Sequence, residues 1–326
     1  MRRREFITAF GGMAAWPLAA RATKAQDAGQ VPRVGWISPG ASAGNPPEVA
    51  GFKQGLRELG YVEGKNIVVE YRFGEQSEER MPELAADLAR LNVSVIWAGG
   101  ISATRAVQRA APDTPIVSFS ADPIGAGVVS NLRRPGGNIA GVSIVRPGGK
   151  WPELAKEALP ALTRIGYLVN QTNATSATNL AEARRSAEAL GLEFRSYPIE
   201  RPEDRQRAFD AMTRDGIAFL LLDAAHPYAP DWPRVAELAL RHKLPAISEI
   251  REFVAAGGLM SYGLNIFDMC RLTAAYIDKI LKGAKAGDLP IEQSTKFELA
   301  INLKTAKALG LTIPQSVLNL ANEVIQ

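Results

Sequence analysis

Residues 93–110 read VSVIWAGGISATRAVQRA, and this stretch shows the pattern that sets the fold class. Its first part, Val93 to Trp97, has the β-branched and aromatic residues typical of a buried strand. Two glycines follow, and Ser102 to Ala110 then places apolar residues at helical spacing. A strand, a glycine-rich turn and a helix in that order are the building unit of a parallel sheet.

The same pattern recurs along the chain in two groups. The first group has further strands at Val34–Ile37, Ile67–Tyr71, Ile116–Phe119 and Ile139–Val142, with helices at Asn45–Gly60 and Met81–Leu91. After Lys150 strands near 165–169, 192–197, 217–222, 246–247 and 259–262 alternate with helices near 177–190, 202–214 and 232–242, and a long helix (267–282) and a late strand (295–301) follow. We therefore expect an α/β protein with two doubly wound parallel-sheet lobes and a cleft between them.

Composition and charge exclude several function classes. The chain has 326 residues and a formal net charge of +4. Five basic residues and one acidic residue fall within the first 25 positions, so the remainder is neutral and lacks the basic surface that nucleic acid requires. One cysteine and two histidines rule out a disulfide framework and predict neither a metal site nor a cofactor.

The first 25 residues have the three parts of an export signal. A basic start precedes an uncharged stretch from Thr8 to Ala20, and small residues around Ala22 or Ala25 suit cleavage. Arg3-Arg4-Glu5-Phe6-Ile7-Thr8 resembles the twin-arginine motif, which implies the twin-arginine translocase as a partner during export. The uncharged stretch is too short for a spanning helix, and no cysteine offers a lipid anchor. We expect an exported protein, soluble in the periplasm.

Polar residues collect where the predicted strands end, the edge at which open parallel sheets bind ligands. The candidate binding residues are Ser38, Gly100, Ser102, Thr104, Ser120, Asp122, Asn170, Asn173, Asp223 and Tyr262. The helix start at Gly100 and Ser102 suits an anion, although Ser102 could equally serve only as a helix cap. Asp122 and Asn173 could equally serve only in turns or helix caps. Asp223 suits an ammonium or hydroxyl group of a ligand, but it could equally cap the next loop.

Catalytic signatures are missing from the sequence. It contains no G-x-S-x-G elbow, no phosphate-binding loop and no H-E-x-x-H helix. Gly125 to Ser130 approaches a dinucleotide-binding fingerprint but lacks its third glycine, which keeps a Rossmann-type oxidoreductase only as an alternative. His226 and His242 suit structural positions, and Cys270 suits a buried one inside a helix. The sequence therefore favours a non-enzymatic protein with no catalytic residues.

Several stretches, taken together, resemble one family nearly end to end. They are the leader, Phe52-Lys53-Gln54-Gly55-Leu56 with Gly60-Tyr61-Val62-Glu63-Gly64, Arg134-Pro135-Gly136-Gly137-Asn138-Ile139, Gly257-Gly258-Leu259-Met260-Ser261-Tyr262-Gly263, and Thr295-Lys296-Phe297-Glu298-Leu299. They look like the ABC transporter substrate-binding proteins related to tryptophan- and tyrosine-binding receptors. Members commonly read Asn-Pro-x-Asn-Pro where this chain has 170–174, and often Asp-Pro where it has His226-Pro227, so these loops depart from the family pattern.

The resemblance implies a type I periplasmic binding protein fold, whose lobes are joined by three crossovers and close on a ligand. The crossovers fall near Ser143–Pro147, Tyr262–Asn265 and Gly287–Lys296. The implied lobes are residues 31–145 plus 264–286 at the N-terminal side and 146–263 plus 287–326 at the C-terminal side, after the signal at 1–25.

The resemblance also assigns roles to the candidate residues. The ligand carboxylate would be held at Gly100, Ser102 and Thr104, and its ammonium group by Asp223. Trp36, Phe119, Tyr228 and Tyr262 lie near predicted strand ends, where aromatic faces would suit an aromatic solute, although core packing is their alternative role. The implied partners are a small amino-acid-like ligand and an ABC permease in the inner membrane. A sensory role with a membrane receptor is the alternative that the sequence leaves open.

Overall fold

The computed structural model describes residues 31–40, 42, 46–75, 77–170, 176–201, 203–223, 231–294 and 296–326. Within it, Pro32–Gln326 forms one compact unit. The export signal predicted at residues 1–25 lies outside the described residues. Along the described residues, no helix combines the length and the apolar character needed to cross a bilayer.

Strands and helices alternate through most of the unit. In chain order they are β1 (Arg33–Ser38), α1 (Pro47–Glu58), β2 (Val68–Phe73), α2 (Met81–Arg90), β3 (Val95–Gly99), α3 (Ile101–Ala110), β4 (Ile116–Ala121), β5 (Ile139–Ile144), α4 (Trp151–Ala158), β6 (Arg164–Asn170), α5 (Ser176–Ala189), β7 (Glu193–Ile199), α6 (Asp204–Arg214), β8 (Phe219–Leu222), α7 (Trp232–Arg241), β9 (Ala246–Ser248), α8 (Arg251–Ala255), β10 (Met260–Leu264), α9 (Ile266–Leu281), β11 (Ile291–Ser294), β12 (Phe297–Asn302), α10 (Leu303–Ala308), α11 (Gln315–Leu318) and β13 (Glu323–Ile325).

Two sheets organise these elements into two lobes. The first sheet has the order β11-β5-β4-β3-β1-β2 and is parallel throughout. The second has the order β13-β12-β10-β9-β8-β6-β7 and is parallel except where β12 runs antiparallel to β10. Helices cover both faces of each sheet, so central strands such as β3, β4 and β8 are buried on both faces rather than alternating between buried and exposed residues.

The chain passes between the sheets after β5, after β10 and after β11. The last passage corrects the predicted boundary of the C-terminal lobe at residue 287. Ile291 to Ser294 pair in parallel with Gly141 to Ile144 at the edge of the first sheet, so the chain leaves the first lobe only after Ser294. The added edge strand satisfies backbone groups of β5 that would otherwise stay unpaired.

Helices α1 and α9 pack closely over one face of the first sheet. A Cβ at Gly51 would lie 2.1 Å from the carbonyl oxygen of Phe267, and one at Gly55 would lie 2.1 Å from that of Arg271. Only glycine permits this backbone contact. Beneath the two helices, the rings of Trp36 and Trp97 stack with centroids 3.6 Å apart, which places a dense aromatic core under the start of α1.

Candidate functional site

A cavity of about 860 Å³ lies between the two lobes. The first lobe contributes Ser38, Pro46 to Val49 and Phe73, the second contributes Trp232, Glu249 to Glu252, Glu298 and Glu323, and Gly263 to Phe267 pass between them. Ser38 ends β1 and Glu249 follows β9, so the cavity meets the carboxyl ends of strands in both sheets. This is the edge at which the sequence predicts a ligand site.

A partly buried ionic cluster adjoins the cavity in the second lobe. Arg146, in the first passage between the lobes, places its Nη1 atom 2.6 Å from Oε1 of Glu249 and 3.5 Å from Oδ1 of Asp223, whose side chain is fully buried. Burial opposes the charge of Arg146, but the carboxylates of Glu249 and Asp223 outweigh it and raise the pKa of the guanidinium. Burial, followed by the negative charge of Asp223, raises the pKa of the Tyr167 hydroxyl well above its usual range.

The start of α3 has the open backbone that the sequence predicts. Gly100 has φ of +90° and lies at the N-terminal cap position, and no side chain caps this helix. Ser102 is half-buried in its first turn. Gly99 lies beside the cavity wall, since a Cβ there would be 3.3 Å from Oγ of Ser38. The first turn of a helix leaves backbone N–H groups without intrahelical acceptors, so this edge can receive an anionic group.

Thr104 and Ser120 are drawn into the first lobe instead of facing the cavity. The Thr104 hydroxyl donates to the carbonyl oxygen of Gly100 at 2.8 Å and lies 3.0 Å from Oγ of Ser118. Ser118 in turn lies 3.0 Å from Oγ of Ser120. All three residues are buried. This chain of hydroxyl groups ties α3 to β4 and supports the loop above it.

The other predicted residues lie in several places. Asp122 is exposed and has φ of +42°. Its side chain accepts a hydrogen bond from Gly125 N–H at 2.8 Å, so it takes part in a turn, the alternative role expected for it from the sequence. Ser38 lines the cavity and accepts from Gly40 N–H at 3.1 Å. Tyr262 is half-buried, 5.4 Å from the ring of Phe297.

Three of the residues named from the sequence have side chains outside the described part of the structure. Asn170 ends β6, paired with Ile199, but its side chain lies outside the described residues. Asn173 and Tyr228 also lie outside them.

Two of the candidate aromatic residues belong to the core. Phe119 is buried with its ring 5.7 Å from that of Trp97. Trp36 is also fully buried, but it forms part of the cavity wall, and its indole N–H has no hydrogen-bond partner among the described residues. The exposed aromatic surface of the cavity therefore comes from Phe73, Trp232 and Phe267, all three of which sequence reasoning missed.

Charged residues that the sequence analysis missed dominate this site. Arg146 joins Asp223 to Glu249, while Glu48 and Glu252 reach the cavity from opposite lobes. Glu48 follows two prolines in the first turn of α1, a position in which an acidic residue is ordinary helix chemistry. No local signal distinguished it from Glu83, which lies in the first turn of α2.

The side chains and backbone groups at this site are suited to binding a ligand. Burial raises the pKa of the Cys270 thiol well above its usual range, which makes that thiol a poor nucleophile. Across the described residues, His, Cys, Asp and Glu side chains form no cluster that could hold a metal ion. The arrangement can enclose a small solute between apolar walls, with carboxylates reaching it from both lobes and helix N–H groups beside Ser38.

Comparison with known proteins points to one family. The model of ABC transporter substrate binding proteins matches residues 44–325. A tyrosine-binding protein of Clostridioides difficile is 25% identical over 262 residues, 80% of this chain and 76% of that protein.

Two solved structures have similar folds over most of the chain. An ABC domain from Streptococcus pneumoniae in complex with L-Trp is 26% identical with a TM-score of 0.82, covering 91% of this chain and 100% of that one. A conserved domain protein from Vibrio cholerae has the same identity and TM-score and covers 90% and 100%.

Proposed function

The chain belongs to the ABC transporter substrate-binding protein family, and we propose that it binds an aromatic amino acid, or a close analogue, between its two lobes. The predicted type I periplasmic binding protein fold is confirmed by the two parallel-dominated sheets and by the similar solved structures. Binding, and not catalysis, is the activity of this family.

The interlobe cavity is the observation that carries the proposal. Its volume of about 860 Å³ suits a small solute, and both lobes contribute to its walls. Phe73, Trp232 and Phe267 offer apolar and aromatic surface to a ring. Relatives described as a tyrosine-binding protein and as an L-Trp complex support the same ligand class.

The ligand's carboxylate would lie beyond Ser38, at the edge of this cavity, because Gly100 and Ser102 are not among the residues that line it. We assign its carboxylate to the start of α3 at Gly100 and Ser102, next to Ser38, where the helix N–H groups are open. The family resemblance implies that Asp223 holds the ammonium group. In the structure Asp223 already forms an ion pair with Arg146, which makes it less available to a ligand.

Ligand recovery followed by calorimetry tests the proposal. Mass spectrometry of protein purified under mild conditions should detect an aromatic amino acid or amine, and calorimetry should show binding of L-tryptophan or L-tyrosine and weaker binding of L-leucine. Equal affinity for all three, or no binding of any aromatic solute, would reject it.

We propose further that the protein is exported through the twin-arginine translocase and delivers the solute to a permease in the inner membrane. Changing Arg3 and Arg4 together to lysine should keep the protein in the cytoplasm. Normal amounts in the periplasm would refute this export route. Loss of uptake of the labelled solute after deletion of the chain would support the importer role over a sensory one.

A further inference from the structure

Glu48 and Glu252 approach the cavity from opposite lobes. Glu48 lies in the first turn of α1 and Glu252 in the first turn of α8. Both line the cavity. Each lobe thus contributes one carboxylate to the space that a ligand would occupy.

The other carboxylates of the cavity have basic partners close by. Glu249 pairs with Arg146 at 2.6 Å, Glu323 accepts hydrogen bonds from Nε and Nη2 of Arg251 at 2.6 and 2.7 Å, and Glu298 lies 3.8 Å from Lys296. In the part of the chain that the structure describes, Glu48 and Glu252 form no ion pair. Arg251 acts on Glu252 electrostatically, although its ion pair is with Glu323. These two side chains therefore place negative charge on the cavity wall that no ion pair among the described residues neutralises.

This charge is unfavourable in the ligand-free protein. Burial raises the pKa of the Glu48 carboxyl, and the negative charge of Glu252 adds to that rise. Two negative charges on opposite lobes repel each other and oppose the approach of the lobes. A cation between the two carboxylates attracts both of them instead. An ammonium group placed there would connect ligand binding to lobe closure.

A second feature of the cavity independently points to a ligand. The indole N–H of Trp36 is a hydrogen-bond donor in a fully buried residue of the cavity wall, and no partner for it exists among the described residues. Buried donors in native proteins nearly always have an acceptor, so an occupant of the cavity would be expected to supply one. The wall thus combines acceptors for a cation with a donor for a polar group of the same solute.

We propose that Glu48 and Glu252 together hold the ammonium group of the solute and make a positively charged amine the required feature of the ligand. This inference rests on the proposed function and extends it to the substrate class. Aromatic amino acids and aromatic amines are then ligands, whereas aromatic carboxylic acids without an amine are not.

Calorimetry on the full chain with a matched set of probes tests this assignment. The probes are L-tryptophan, tryptamine, which lacks the carboxylate, and indole-3-propionate, which lacks the ammonium group. Wild-type protein should bind the first two and bind indole-3-propionate at least about tenfold more weakly, because a hydrogen bond to a charged group is lost. Glu48→Gln and Glu252→Gln should each weaken tryptamine binding at least about tenfold by the same reasoning.

Two control variants separate the outcomes. Glu83→Gln, in the matching first turn of α2 and outside the cavity, should leave all affinities unchanged. Unchanged tryptamine and tryptophan binding in both Glu48→Gln and Glu252→Gln would overturn the inference while leaving the proposed function standing. If only Asp223→Asn abolished amine binding, the ammonium group would belong to Asp223 and the inference would be wrong. Wild-type protein that binds none of the probes, nor L-tyrosine, would instead reject the proposed function.

Discussion

Replacing Gly55 by alanine tests whether direct backbone contact between α1 and α9 limits the stability of the first lobe. The new Cβ would lie 2.1 Å from the carbonyl oxygen of Arg271 and 2.8 Å from the Cβ of Ala274. A carbon normally approaches a carbonyl oxygen to roughly 3.3 to 3.6 Å. The helices must therefore separate by about 1 Å at this point, since the obstructing oxygen belongs to the backbone.

Two effects of opposite sign decide the magnitude. Alanine is the better helix former by about 1 kcal/mol. Overpacking of a well-packed core costs about 1 to 3 kcal/mol, and an overlap with backbone belongs at the upper end of that range. The variant should therefore lose about 2 kcal/mol in free energy of unfolding. Helix propensity alone predicts a gain, so the sign of the change separates the two explanations.

Urea unfolding followed by tryptophan fluorescence measures this change, since Trp36 and Trp97 lie in the core beneath α1 and α9. Gly149→Ala is the control, because a Cβ there has no atom within 4 Å and the change should stay within about 0.5 kcal/mol. A Gly55→Ala variant as stable as wild type, or more stable, would refute the packing argument. Gly51→Ala should behave similarly, and the double variant should cost less than the sum, since one separation relieves both contacts.

Two further predictions concern charged groups. Arg146→Met leaves the buried Asp223 and the partly buried Glu249 without their shared guanidinium, which should cost about 3 kcal/mol in urea unfolding. In contrast, Arg234→Met on an exposed helix face should cost less than about 1 kcal/mol, and equal losses would contradict the role of burial. The folded-state pKa of Glu48 is raised above 4.5, so its contribution to stability is fully present below pH 4.5 and is lost as pH rises through the folded pKa. Glu48→Gln should therefore raise the melting temperature of the ligand-free protein at neutral pH and remove this part of its pH dependence. Identical pH profiles in the two proteins would show that Glu48 does not titrate as described.

Local sequence patterns were sufficient for the fold class and for most of the helices and strands. The predicted helix from Asn45 to Gly60 corresponds to α1 at Pro47–Glu58, because proline at the start and glycine at the stop act through the backbone of their own neighbours. Short elements such as α8 and β13 were missed, since three to five residues give too few repeats for a period to be visible. The place of β11 in the first sheet also escaped prediction, because strand pairing joins segments far apart in sequence.

The candidate site shows the same difference between what neighbouring residues determine and what distant contacts determine. Local patterns were enough to predict that polar groups gather at strand ends and that a helix begins after Gly100, since both follow from neighbouring residues. Which of those groups face the cavity depends on how the two lobes fold. The tertiary structure turned Thr104 and Ser120 inward through the hydroxyl chain. It joined Arg146 to Glu249, 103 positions away, and brought Glu48 and Glu252 to one cavity from two lobes. The physical reason is that helix and strand preferences act between near neighbours, whereas burial and Coulomb interactions depend on distances that exist only after the lobes have folded and met.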